Sequence, residues 1–166
     1  MDFRTVILGA WLLIIGTSMG WAQGTAVSLG VNNHDSSIPV EITSEELALD
    51  QENGTATFAG DVIVKQGEIT MTCQRMRVEY AEDPETGKTE IQIIRMFGGV
   101  TFVTQQDAAE SDSAVYSLTS EIVEMFGNVL VTQGPTALSS DKLTYNLQTG
   151  DGQMEGSVKT ILQQGN

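Results

Sequence analysis

From Val40 onward the apolar residues alternate with polar ones in short runs. "TATFAGDVIV", "EITMTC", "MRVEY", "VTFVT", "AVYSL", "VLVTQ" and "KLTYNL" all follow a two-residue period. That period places alternate side chains on opposite faces of an extended chain and predicts half-buried strands. No segment sustains the 3.6-residue period of an amphipathic helix. Turn signals separate the runs: Asn53-Gly54, the "EDPETGK" loop from Glu82 to Lys88, Gly134-Pro135 and "TGDG" from Thr149 to Gly152. The pattern predicts an all-β chain.

A glycine interrupts the long runs at a fixed place. "FAGDVIVKQG" begins at Phe58, "MFGGVTFVTQ" at Met96, "MFGNVLVTQG" at Met125 and "MEGSVKTILQ" at Met154. Gly60, Gly98, Gly127 and Gly156 each precede a valine by two residues, and the last three lie 29 residues apart. The first interval is 38, and the "EDPETGK" loop accounts for part of the excess. Tyr116 and Tyr145 stand eleven residues before the third and fourth glycines; Leu49 holds that place in the first unit, and Tyr80 fills it in the second once the loop insertion is allowed for. Ser111-Asp112 and Ser140-Asp141 also correspond. The chain therefore contains about four repeated two-strand units, which must stack to bury their apolar faces.

Counting by twos gives the expected buried stripe. It holds Phe58, Met96, Met125 and Met154 before the glycine, and Val62, Val100, Val129 and Val158 after it. Val64, Phe102, Val131 and Thr160 follow two residues later. The glycine falls on this stripe by parity. A glycine inside a strand marks either a bend or a close approach by a backbone or a thin ligand, and both readings stay open here.

The ends of the chain differ from this body. "VILGAWLLII" (Val6–Ile15) is an apolar run behind "MDFR", and Gly20 and Ala22 fit a cleavage site before Gln23. Residues 1–22 are expected to be a secretory signal peptide, with a retained membrane anchor as the alternative. Gly24 to Ser37 is rich in Gly, Ser, Asn and Val, so residues 23–39 are expected to be a flexible lead-in to a domain spanning 40–166.

Composition narrows the function. The 166 residues hold 22 acidic and 8 basic side chains, for a net charge of −14. Such a charge disfavours a nucleic-acid partner. An anionic ligand would have to be held through its apolar part. The single cysteine, Cys73, excludes an internal disulfide and reads as a packed strand residue. The lone histidine, His34, supports no metal site. No nucleophile elbow, zinc motif or phosphate loop is present, and Asp50, Asp61, Asp112, Asp141 and Asp151 read as turn residues. Neither an enzyme nor a cofactor is expected.

The segment "ITSEELALDQENGTATFAGDVIVKQGEITMTCQRMRV" (Ile42–Val78) resembles the OstA-like family. The pattern T-F-x-G-x-V-x-V-x-Q-G at Thr57–Gly67 carries the likeness, with "FGNV" and "SDKLTY" further on, and it covers about Val40 to Leu162. The resemblance implies an open, twisted antiparallel β-jelly roll whose strands face one another in a V. It implies a periplasmic carrier that shields the acyl chains of lipopolysaccharide in an apolar groove on the way to the outer membrane. The implied partners are an inner-membrane-anchored transport protein and an outer-membrane translocon, together with further copies stacked head to tail through edge strands. The expected groove residues are Phe58, Val62, Val64, Met96, Val100, Phe102, Met125, Val129 and Val131, with Val40 and Ile42 matching the family's entry-end strand. Two alternatives remain: an anchored relative from the same transport chain, and a structural β-repeat protein that carries no lipid.

Overall fold

The computed structural model describes residues 25–30, 35 and 37–162. The expected signal peptide and His34 lie outside the described residues. The described residues form eleven strands and no helix. They are β1 (Thr25–Val27), β2 (Glu41–Thr43), β3 (Glu46–Asp50), β4 (Thr55–Gln66), β5 (Ile69–Glu82), β6 (Thr89–Val103), β7 (Asp107–Ser117), β8 (Ile122–Gln133), β9 (Thr136–Asn146), β10 (Gly152–Glu155) and β11 (Lys159–Leu162). All pairings are antiparallel, in the order β1-β10-β9-β8-β7-β6-β5-β4-β2. β3 joins the first half of β4 and β11 the first half of β9. The path does not close, so this is an open antiparallel sheet. Each repeat seen in the sequence is one hairpin. In the first unit the leading strand is split into β2 and β3; in the last unit the trailing strand is split into β10 and β11.

The long strands β4, β6 and β8 break their register with the strands beside them at the repeated glycine. Phe97 pairs with Ser113 and Val100 with Ser111, so Gly98 and Gly99 together oppose Asp112 alone. The same two-against-one arrangement places Gly127-Asn128 against Asp141, between Phe126/Lys142 and Val129/Ser140. These are β-bulges, which bend and twist a strand. Both residues of each pair adopt left-handed backbone: φ is 85° and 76° at Gly98-Gly99, and 77° and 48° at Gly127-Asn128. Glycine takes this conformation without strain, and asparagine tolerates it better than most residues.

The aligned bulges crease the sheet into two walls. The first wall holds β3, β10, β1 and the halves of β4 to β9 that carry Phe58, Met76, Met96, Tyr116, Met125 and Tyr145. The second holds β2, β11 and the halves that carry Val64, Met71, Phe102, Ala109, Val131 and Leu138. Contacts across the crease show that the walls face each other. On a flat sheet, strands three positions apart lie about 14 Å apart. Yet Phe102 of β6 meets Tyr145 of β9 edge to face at 6.1 Å between ring centres. The Tyr116 hydroxyl of β7 likewise lies 3.2 Å from Gln66 Oε1 of β4, donating to it.

Two expectations change here. The glycines are not part of the buried stripe: Gly98 and Gly156 are exposed, and Gly60 and Gly127 are half-buried. The bulge turns them outward, while Met96, Met125 and Met154 before them and Val62, Val100 and Val129 after them stay inside; in the last unit the expected stripe fails, because Val158 and Thr160 lie on the uncovered end of the sheet and are exposed. In addition, part of the expected flexible lead-in belongs to the sheet. β1 pairs with β10, and Val27 and Leu29 are buried. The alternation Val27-Ser28-Leu29 is a short strand signal inside a stretch otherwise rich in small and polar residues.

Candidate lipid groove

The inner faces of the two walls form one apolar cluster. All eleven residues expected from the sequence lie on or against it. Val62, Val64, Met96, Val100, Phe102, Met125, Val129 and Val131 are buried to between 0% and 4% exposure. Phe58, Val40 and Ile42 are half-buried and pack against the same cluster. Phe58, Met96 and Met125 belong to the first wall. Val62, Val64, Val100, Phe102, Val129 and Val131 belong to the second, and Ile42 joins them by pairing with Val64.

Reading only the glycine-bearing strands missed half of the lining. Met76, Val78, Tyr116, Leu143 and Tyr145 supply the intervening strands of the first wall, and Ile69, Met71 and Ala109 those of the second. Their alternation was visible in "EITMTC" and "MRVEY". What the sequence does not show is which face of each hairpin partner meets the glycine strand. Leu29 is 1% exposed and had no signal beyond its spacing from Val27.

The lining is not uniform from end to end. At the β2/β3 end the inner face runs out into solvent. Leu47 pairs with Phe58 and Leu49 with Ala56, so both leucines share the inner face. They are 55% and 67% exposed because no strand lies beyond β3. A cleft of about 910 Å³ opens between the segment before β2 and the ends of β5, β6 and β7. Ile38, Pro39 and Val40 line one side; Pro84, Ile91 and Leu118 line the other, with Asp83, Glu85 and Glu90 at the rim. At β10 the inner face is covered: Met154 is fully buried and Val27 is 8% exposed, whereas Val158 and Thr160 leading into β11 are exposed.

The polar groups near the interior serve the crease. Four equivalent positions oppose the bulge glycines, and each is preceded by a small residue that bonds the backbone two residues ahead. Ser44 Oγ donates to the Glu46 carbonyl at 2.9 Å. Ser111 Oγ and Ser140 Oγ donate to the carbonyls of Ser113 and Lys142 at 2.9 Å each. Cys73 Sγ makes the same contact to Arg75 at 3.3 Å. These side chains satisfy carbonyls that the broken ladder leaves over. Cys73 thus occupies a serine position of the repeat, and burial pushes its thiol pKa up. Tyr116 is pushed up to about 12, mainly by burial and secondarily by the charge of Glu121.

The next residue in each unit fills the space over the glycine. A side chain built at Gly98 or Gly156 would place its Cβ 2.8 Å from the Cβ of Gln74 or Asp141, and at Gly127 it would come 3.1 Å from that of Asp112. The close approach suggested by the glycine spacing is made by a neighbouring strand's side chain. The carboxylates Asp112 and Asp141 accordingly sit at the crease rather than in hairpin turns, and Asn128 Nδ2 donates to Asp112 at 2.8 Å. Asp50 does sit at a turn, where bonds from the Asn53 side chain and backbone lower its pKa.

A creased antiparallel sheet with an apolar inner face is the architecture against which known proteins can be compared. The model of the LptA/LptD N-terminal-domain family of lipopolysaccharide-transport proteins matches residues 41–151, more than half of the chain. The chain belongs to this family. Among solved structures it is similar to LptH of Pseudomonas aeruginosa, described as the LptA-homologous periplasmic component of the conserved lipopolysaccharide transport device. The TM-score is 0.69 at 16% identity, covering 79% of this chain and 99% of that one. At that identity the likeness shows the fold. No curated protein matches the chain. Family and fold agree with the open β-jelly roll that the resemblance implied, and they are those of a transport protein.

Proposed function

We propose that the protein is a periplasmic carrier of lipopolysaccharide that holds the acyl chains of the lipid between its two walls. The observation that carries this reading is the continuous apolar inner face, which reaches solvent at Leu47, Leu49 and Phe58. Exposing one acyl chain of about 12 carbons to water costs roughly 10 kcal/mol, at about 0.8 per CH₂. A channel of apolar side chains removes that cost without a chemical step. The acidic surface repels the phosphorylated headgroup, so affinity comes from the acyl chains.

Loading requires the walls to part. Phe102 against Tyr145 and Tyr116 against Gln66 close the middle of the interior, whereas the β2/β3 end lies open. Chains therefore meet the interior first at Phe58 and Leu49, and they fill its length only where the walls part. The free edges β2 and β3 at one end and β11 at the other suit pairing with further copies, and with similarly folded domains of an inner-membrane-anchored partner and an outer-membrane translocon.

The test is competition of lipid A and of its deacylated sugar for bound lipopolysaccharide, together with Phe58→Asp. Phe102→Asp is a poor probe, because an unpaired charge beside Tyr145 would unfold the protein. Phe58 is half-buried and tolerates the change. Competition by lipid A alone, lost in folded Phe58→Asp, is the expected result. Competition by the sugar alone overturns the reading. The closed interior favours a second reading, an edge-assembling structural protein without lipid, and end-to-end assembly with no lipid A competition would establish it. The mature N-terminus by mass spectrometry separates a cleaved carrier from an anchored relative.

A further inference from the structure

Residues 25–30 cross the mouth between the two walls. On the first wall, Thr25, Ala26 and Val27 pair with Met154, Gln153 and Gly152. On the second, the Leu29 carbonyl accepts from Thr104 Oγ1 at 3.3 Å, and the Ser28 carbonyl accepts from Gln133 Nε2. Between these anchors Val27 and Leu29 enter the apolar cluster. The seat is shaped for the segment. Gly152 has no left-handed backbone to explain it, yet a Cβ there would come within 2.7 Å of Val27 Cγ1 and 2.9 Å of the Val27 carbonyl. Gly152 is small because Val27 lies on it.

This crossing does two things at once. It covers the apolar interior at β10, and it occupies the outer edge of β10, where a neighbouring chain would add a strand. It is also a short attachment, three paired residues and a few side-chain bonds, set against strands of eleven or more residues in β5 to β9. Short elements at a sheet edge open locally before the body of a fold does.

We propose that residues 25–30 are a displaceable strap whose release opens the mouth to acyl chains and frees β10 for a neighbouring protomer, coupling lipid loading to end-to-end assembly. The proposal rests on the carrier reading above. The strap competes with the acyl chains for the interior and with the neighbour's edge strand for β10. A protein whose open form is a minor population binds with an affinity reduced by that fraction, and a change that populates the open form restores it.

The test uses the full exported chain in a Cys73→Ser background. Ala26→Cys with Gln153→Cys places thiols on directly paired residues, so that oxidation locks the strap. Leu29→Asp weakens the strap itself, and Gly152→Ala spoils its seat without altering it. Lipid A binding and oligomer mass by light scattering are read on each, with circular dichroism to show that the sheet persists. Both loosened variants should bind lipid A about tenfold more tightly and assemble at lower concentration. The oxidised lock should lose both properties and regain them on reduction. An oxidised lock that binds and assembles like the parent overturns the strap while leaving the carrier reading intact. A lock that blocks one property and not the other overturns the coupling. Absence of lipid A binding in every folded form overturns the carrier reading, and the strap's role in loading falls with it.

Discussion

At the residue scale the crease depends on pairs with left-handed backbone and on the small residues that serve them. Gly127→Ala forces a Cβ into a φ of 77° and against Asp112. We expect it to cost about 2 kcal/mol or more, because strain and collision add to each other. Gly99→Asn should be nearly neutral. Nothing lies within 4 Å of a Cβ at Gly99, and Asn128 already occupies the equivalent place in the next unit. Urea unfolding of the two variants side by side distinguishes a position that only glycine can fill from one where a left-handed asparagine suffices. Cys73→Ser should change stability by less than about 1 kcal/mol, because serine makes the same bond at three equivalent positions. The native thiol should react with a thiol reagent only as fast as the protein opens, since burial both shields it and disfavours the thiolate.

At the scale of elements, the long strands hold each other and the end strands do not. β3 is exposed along its whole length, and its inner-face leucines have no cover. An apolar strand at a sheet edge invites pairing. Replacing both Leu47 and Leu49 with lysine should leave the unfolding midpoint almost unchanged, because neither side chain is buried. It should also abolish end-to-end association, as lysine at an edge opposes strand addition. Sedimentation velocity across a range of concentrations measures this, and undiminished oligomers would place assembly on another surface. The outer face of the first wall carries half-exposed ion pairs, Arg95–Glu79 at 2.8 Å and Lys142–Glu124 at 2.7 Å. Pairs of this exposure contribute little to stability, so association that survives high salt would point to apolar edges.

For the whole molecule, what matters is how firmly the walls are held together. Tyr116 binds across the interior to Gln66, and its pKa is raised from 10.0 to about 12. The fold favours the neutral phenol, so this stabilisation is fully present below pH 10 and is lost as pH rises through about 12. The change amounts to about 2–3 kcal/mol, at 1.36 kcal/mol per unit. Denaturation midpoints measured from pH 8 to 12 should fall steeply above pH 10 in the parent. The fall should be shallower in Tyr116→Phe, which has no phenol to ionise. Equal slopes would mean that the tyrosine is hydrated in the folded protein.

Much of this architecture was legible in the chain itself. Strand alternation and the recurring Gly-x-Val are local properties of the backbone, so they identified the β class, the four hairpins and the inner face down to Phe58, Met96 and Val131. The 29-residue period also placed the crease, because a bulge needs its special residues at one register in every unit. Three features came only from tertiary structure. The glycines turn outward, since the direction of a bulge depends on the strand beside it. The interior is closed, since Phe102 and Tyr145 meet only once the creased sheet folds over itself. Val27 and Leu29 cross the mouth, since two apolar residues in a polar stretch have no fixed address until Gly152, Thr104 and Gln133 come together to receive them.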